Sequence, residues 1–214
     1  DCKWTDWDVF VKVLENQKPY NIPGTFQGYH AITFAWLVGE LFRKVEGRMV
    51  GDYFKDEIAI PFDLDFHIGL SEDQHYRCAD VSVERFDNLK PPFEFIKHIP
   101  SFFLPNDLKN FKSAIVSKDY VQAFNGSLFD TYDANSTNWR KSQVPSANGH
   151  GTASSLAKLF GILSTGCERD NTKLFDIATL KNATSVKSSG PDTVLFGAKI
   201  NFGYCYMLNI NESS

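Results

Sequence analysis

The sequence predicts a folded, mostly helical protein with few and short extended segments. Three observations carry this. Apolar residues recur at helical spacing over 4–14, 31–45 and 152–166, and only 65–70 and 201–209 read as extended. Charged residues make up 22% of the chain and hydrophobic ones 43%, which excludes disordered, collagen-like and coiled-coil chains. The 214 residues are enough to bury about 70% of the unfolded surface.

Taken in order, Trp7, Phe10, Val11 and Leu14 give Trp4 to Leu14 the pattern of a short amphipathic helix that ends before Pro19. From Ala31 to Val45 apolar residues cover nearly every face until Glu40, Arg43 and Lys44, so this helix is expected to be mostly buried. Its cations near the C-terminal end and the following Gly47 suit the helix dipole and a left-handed cap. Val50 to Ile58 reads as a more exposed helix stopped before Pro61, and Asp65 to Leu70 as a short extended piece.

Lys90 to Pro105 is rich in proline and phenylalanine and reads as an ordered wrap over an apolar surface. Asn106 to Val116 and Asp119 to Phe124 read as short helices, and the polar stretch Ser127 to Ala147 as a long surface loop. Thr152 is placed to cap a helix with Leu156, Leu159, Phe160 and Leu163 on its buried face, ended by Gly166. Asp176 to Asn182 is a further helix, and Asn201 to Asn209 alternates like one strand.

Twenty-two Lys and Arg stand against 26 Asp and Glu, a net charge of -4; with a pI of 5.7 this argues against nucleic acid or an anionic membrane as partner. The longest apolar stretch, Ala31 to Gly39, is about half of what a bilayer requires. Cys2, Cys78, Cys167 and Cys205 lie far apart without a Cys-x-x-Cys pair, so structural zinc is not expected. The sequons at Asn125, Asn135, Asn182 and Asn211 are a weak hint of secretion, outweighed by accidental sequons in a Cys-poor chain with free thiols. The opening Asp1-Cys2, without Met or a leader pattern, reads as a processed or truncated start.

Several blocks resemble one family. Pro23-Gly24-Thr25-x-x-x-Tyr29, the helix with Gly39-Glu40-Leu41, Val45-x-Gly47-Arg48, Asp52-Tyr53-Phe54 and Ile60-Pro61-Phe62-Asp63-Leu64-Asp65 follow in order. Ala147-Asn148-Gly149-His150-Gly151-Thr152-Ala153, with Leu156, Ala157 and Phe160, forms a second block. Gly190-Pro191 and Phe202-Gly203-Tyr204-x-x-Met207-Leu208 form a third. Together they resemble the serine β-lactamase-like hydrolases: class C β-lactamases, related carboxylesterases and penicillin-binding proteins.

The resemblance implies an α+β fold, an antiparallel sheet flanked by helices beside a mostly helical lobe, with this chain supplying chiefly the lobe. It implies a single domain over 1–214, incomplete at both ends, acting in its intact form on a small-molecule ester or amide through an acyl-serine, with no cofactor and no metal. It also implies a role for Tyr29, the position matching the family's tyrosine. That family holds its serine on a Ser-x-x-Lys helix turn, where residues i and i+3 are neighbours. A phenol, which titrates near 10 in water, relays a proton there only beside a cation such as the family lysine. The other reading of Tyr29 is a core tyrosine with its hydroxyl on backbone.

Two positions depart from the pattern. Ala31 stands where many members carry Asn or Ser, which weakens β-lactam hydrolysis more than hydrolase descent. Asp63 replaces a usual glycine, at little cost because Asp tolerates positive φ. The nucleophile motif is expected upstream of Pro23, beyond Asp1, so these 214 residues by themselves are expected to be inactive. Ser155-Leu156-Ala157-Lys158 imitates the motif but falls downstream inside a structural helix, and Ser164-Thr165-Gly166 imitates the family's Lys/His-x-Gly motif at a helix stop. Asn148-Gly149-His150-Gly151-Thr152 has the glycines of an anion loop without its Lys, and reads rather as a tight turn. Asp63, Asp65 and His67 alternate like strand-borne metal ligands with no second cluster. The resemblance leaves a second reading open, a non-catalytic homologue serving as a binding or assembly scaffold.

Overall fold

The computed structural model describes residues 3–19, 21–81, 93–105, 108, 109, 112, 134–195 and 197–209. Its helices are α1 (Trp7–Asn16), α2 (Phe34–Glu46), α3 (Val50–Tyr53), α4 (Phe93–Ile96), α5 (Thr137–Lys141), α6 (Ala153–Ser164) and α7 (Ile177–Ala183). Its strands are β1 (Phe66–Ile68), β2 (Gly149–Gly151), β3 (Glu168–Arg169), β4 (Thr172–Lys173), β5 (Ser188–Pro191), β6 (Lys199–Phe202) and β7 (Met207–Leu208). The chain divides into two compact units: one of residues 1–19, 30–80 and 133–183, the other of 20–29, 81–132 and 184–214. Apart from 108, 109 and 112, which are helical, the expected helix 106–116 lies outside the described residues, as do the expected helix 119–124 and the sequons at Asn125 and Asn211.

In the first unit, α1 packs on one face of α2 through aromatic rings. Phe10 and Trp4 stack on Trp36 at 4.4 and 6.1 Å between ring centroids, and Trp139 meets Trp4 edge-on at 4.8 Å. At Gly39 an added Cβ would lie 2.7 Å from the Trp7 ring, so a glycine lets the two helices approach this closely. Trp7 Nε1 donates to Glu40 at 2.8 Å, and Arg43 donates to both Glu40 and Asp8. The hydrogen bond from Arg43 holds the Glu40 carboxyl below the usual carboxylate range, against the opposing effect of burial.

The expected cap is present: Gly47 has φ 82° and its N–H bonds the Arg43 carbonyl at 2.9 Å. The expected burial of α2 is corrected. Ala35, Trp36, Gly39 and Glu40 are buried, whereas Leu41 and Val45 are 64% and 82% exposed. The apolar pattern runs round more of the helix than its described neighbours α1 and α3 cover.

The expected helix over 50–58 begins as α3 and widens into π-helical turns over Phe54–Ala59. Ile60 N–H reaches the Lys55 carbonyl at 3.0 Å and Leu64 N–H the Ala59 carbonyl at 2.8 Å, both five residues back. It is less exposed than expected, because Phe54 and Ala59 join Phe62, Leu64 and Ile162 in a second core against Ile58, Phe66, Ile68, Leu159 and Leu174. Asp63 takes φ 50°, the conformation that a glycine would hold without strain.

The polar stretch to Ala147, expected as a surface loop, is mostly half-buried from 134 onward, with Trp139, Arg140, Ser142 and Val144 interior. Ser136 caps α5 by accepting from Trp139 N–H at 3.2 Å, which buries Trp139 and Arg140. Val144 is also buried, and the Asn148 side chain bonds the carbonyl of Trp139 and the N–H of Val144 at 2.9 Å each. One tryptophan and one asparagine anchor a segment whose average composition is polar.

Thr152 caps α6 as expected, accepting Ser155 N–H at 3.1 Å. The buried face is corrected: Ile162 and Ser155 are buried, while Leu156 and Phe160 are exposed. The helix packs through Ile162 and the half-buried Leu159, which join the second core. Asp170 and Asn171 both have positive φ, 50° and 62°, and turn β3 back onto β4.

The second unit contains an antiparallel sheet of order β5-β6-β7, with Ser188 opposite Phe202 and Phe202 opposite Met207. The single strand expected over 201–209 is a hairpin instead. Gly203 N–H closes the turn on the Tyr206 carbonyl at 2.8 Å, and Cys205 at φ 60° lets the chain reverse. Of the wrap expected over 90–105, the described part is α4 and a 3-10 turn at Ser101–Phe103 with Phe102 and Phe103 exposed, so these rings do not cover an apolar surface.

Candidate functional site

Tyr29 lies in the second unit, at the end of a segment docked on the edge of the β5-β6 turn. Gln27 forms a parallel bridge with Asp192 and receives Thr193 N–H on its carbonyl at 3.1 Å. Its side chain donates to the carbonyls of Gly190 and Ile200 at 3.0 and 2.9 Å and accepts from Ser188 Oγ. Gly28 leaves little room, since an added Cβ would lie 3.0 Å from Thr193 Oγ1. Tyr29 N–H then donates to Asp192 Oδ1 at 3.2 Å, and its ring lies parallel to Phe202, 3° between planes and 6.5 Å between centroids.

The tyrosine is half-buried, and its hydroxyl makes no hydrogen bond among the described residues. The alternative of a core tyrosine tied to backbone through its hydroxyl is not what this geometry shows. Asp192, Gln27 and Phe202 escape sequence reasoning, because partners 163 residues apart, as Tyr29 and Asp192 are, leave no local spacing signal.

The other sequence candidates sit in the first unit and are absorbed by its packing. Ser155 is buried; its Oγ accepts Asp65 N–H at 2.8 Å and the Thr152 hydroxyl at 3.0 Å. Lys158 reaches the Asp63 carbonyl at 3.0 Å and its carboxylate at 3.2 Å. Ser155→Ala is therefore expected to cost about 1–3 kcal/mol by stranding the Asp65 N–H, with no effect on acyl transfer per folded molecule. Urea unfolding beside an ester assay checks it. A stable Ser155→Ala variant that loses turnover would make this serine the nucleophile.

At Ser164-Thr165-Gly166, Thr165 bonds the Gly161 carbonyl at 2.9 Å and Gly166 takes φ 111°, which ends α6. Gly149 and Gly151 lie in β2, where added Cβ atoms would come within 2.5 and 2.4 Å of the Phe66 ring. They make room for an aromatic ring and do not form a phosphate loop. Asp65 pairs with Arg77 and with His67, the latter at 3.2 Å. Among the described residues no group of three His, Cys, Asp or Glu converges as metal ligands.

His150 stands directly opposite His67 in the β1-β2 pair. Burial pushes its imidazole below the ordinary histidine range, beyond the upward pull of the Asn148 backbone, and Arg140, His75 and His67 act in the same direction as burial. The unfolded chain therefore takes up this proton first as pH falls. The stability that depends on neutral His150 is full above about pH 6.5 and drains away below it. Unfolding midpoints from pH 7.5 to 5 are expected to fall more steeply in the native protein than in His150→Gln, and equal slopes would contradict this.

The sequence family described as Beta-lactamase matches residues 3–214. Among curated proteins, the esterase/beta-lactamase LipL of Mycobacterium tuberculosis is 26% identical over 170 residues, covering 74% of this chain and 35% of that protein. A penicillin-binding protein homologue from Caulobacter crescentus is 31% identical with a TM-score of 0.68 over 98% of this chain and 49% of its own. A family VIII carboxylesterase is 26% identical with a TM-score of 0.74 over the same shares. EstA from Arthrobacter nitroguajacolicus Rue61a, at 22% identity and TM-score 0.71, shares the fold. The chain thus spans about half the length of these solved relatives and about a third of LipL.

Proposed function

Because this chain belongs to the beta-lactamase family, we propose that the whole protein is a serine hydrolase acting on a small-molecule ester or amide through an acyl-serine, with Tyr29 as its proton shuttle. The fold is the α+β, β-lactamase/transpeptidase-like one of its solved relatives, built here from helices and small antiparallel sheets. The observation that carries the reading is the placement of Tyr29. Its backbone is bonded to Asp192, its ring is laid along Phe202, and its hydroxyl is left unbonded among the described residues.

In the proposed reaction a serine hydroxyl attacks the carbonyl while its proton passes through the phenol to the leaving group, and water then releases the acyl group by the reverse relay. The phenol serves only if a lysine beside the serine favours its charged form. Ser155 and Lys158 do not fill these places, being bonded to Asp65, Thr152 and Asp63. The reading therefore looks for Ser-x-x-Lys in the rest of the whole protein, and takes 1–214 as part of a single domain. Ala31 in place of a hydrogen-bonding side chain, together with likeness to a carboxylesterase, favours esters over β-lactams.

Fluorophosphonate labelling of the whole protein, followed by peptide mass spectrometry, tests this. The expected adduct is on a serine three residues before a lysine and outside these 214, with turnover of p-nitrophenyl butyrate blocked in parallel. No adduct and no turnover of any activated ester would overturn it in favour of a non-catalytic homologue.

A further inference from the structure

We propose that Asp192 is a positioning residue that sets the place of Tyr29 by holding its backbone; the inference rests on the reading of Tyr29 as proton shuttle. Asp192 is fully buried, at 0% exposure. One oxygen, Oδ1, accepts three backbone N–H groups: Val194 at 2.9 Å and Leu195 at 2.8 Å from its own turn, and Tyr29 at 3.2 Å from the docked segment. The first two fix the carboxylate, and the third ties the tyrosine to it. Burial of the acceptor limits competition from solvent, and a hydrogen bond to a carboxylate is stronger than one to a neutral acceptor.

The other oxygen, Oδ2, is buried without a partner among the described residues. A buried acceptor left unsatisfied works against stability. The three bonds at Oδ1 offset that cost, and of the three only the one from the Tyr29 N–H comes from outside the turn that carries Asp192. The ring is constrained separately by Phe202, so backbone and ring are each held by a different group of the same unit. Together they aim the hydroxyl, and displacement of a relay group by even an ångström costs rate rather than binding.

The test uses the whole protein with p-nitrophenyl butyrate turnover, active sites counted by fluorophosphonate, and amide hydrogen exchange. In the native protein the Tyr29, Val194 and Leu195 amides are expected to exchange together with strong protection. Asp192→Ala is expected to deprotect Tyr29 and lower kcat per titrated site at least tenfold with KM within twofold. Asp192→Asn keeps an acceptor at Oδ1 and is expected to retain protection and to lie within threefold of native kcat. An unprotected Tyr29 amide in the native protein overturns the proposal even if Asp192→Ala does not fold. So does an Asp192→Ala loss that vanishes once folded sites are counted, or an Asp192→Asn that loses kcat as Ala does. Tyr29→Phe run in parallel separates the two ideas: unchanged kcat there sinks the shuttle reading, whereas a drop there without one in Asp192→Ala sinks only the positioning role.

Discussion

Tyr29→Phe is expected to lower kcat for ester hydrolysis by the whole protein about 10²–10⁴-fold, the usual contribution of a positioned acid or base. The substitution removes one oxygen and keeps the ring. Stacking on Phe202 survives, and so does the N–H bond to Asp192, which belongs to the backbone. Since the hydroxyl has no hydrogen bond among the described residues, thermal stability is expected to stay within about 0.5 kcal/mol of native. Rate loss without stability loss separates a relay from a structural tyrosine. KM is expected to change little, because the phenol acts on protons in flight rather than on bound substrate. Steady-state kinetics with circular dichroism melting decides it: a rate within threefold of native removes Tyr29 from the chemistry.

Trp36→Ala is expected to have the largest effect on stability, about 3–5 kcal/mol, as is usual when a large buried aromatic is truncated. Trp36 is 1% exposed and touches the rings of Trp4, Trp7 and Phe10, so the cavity is lined by rigid groups that cannot close it. Its Nε1 is buried without a partner among the described residues. Trp36→Phe, which deletes that stranded donor along with some volume, is therefore expected to cost much less than Trp36→Ala. Val45→Ala on the same helix, at 82% exposure, is expected to stay within about 0.5 kcal/mol. Urea titration should show the midpoint falling in that order at constant slope. Equal midpoints for Trp36→Ala and Val45→Ala would contradict the packing described.

Much of the local structure was legible from residues alone. Thr152 as cap, Gly47 as left-handed stop and Asp63 at positive φ follow from groups within a few positions of one another. Burial was less legible. The periodicity of α2 and α6 marks which residues share a face, but which face is covered depends on elements far along the chain. A segment polar on average, 134–147, is drawn partly into the interior because Trp139 and Asn148 anchor it there.

The candidate site divides the same way. By itself the sequence determined the family and the α+β class, and it singled out Tyr29 among eight tyrosines as the shuttle proposed here, because motif order and residue type are local properties that survive without coordinates. It also marked Ser155-x-x-Lys158 as displaced in that order. Only the tertiary structure decided that Ser155 and Lys158 are bonded elsewhere, that Gly149 and Gly151 shelter Phe66, and that Asp192 holds the Tyr29 N–H. These are contacts between residues 83 to 163 positions apart by chain number. Chain folding sets such distances, and no spacing along the sequence encodes them.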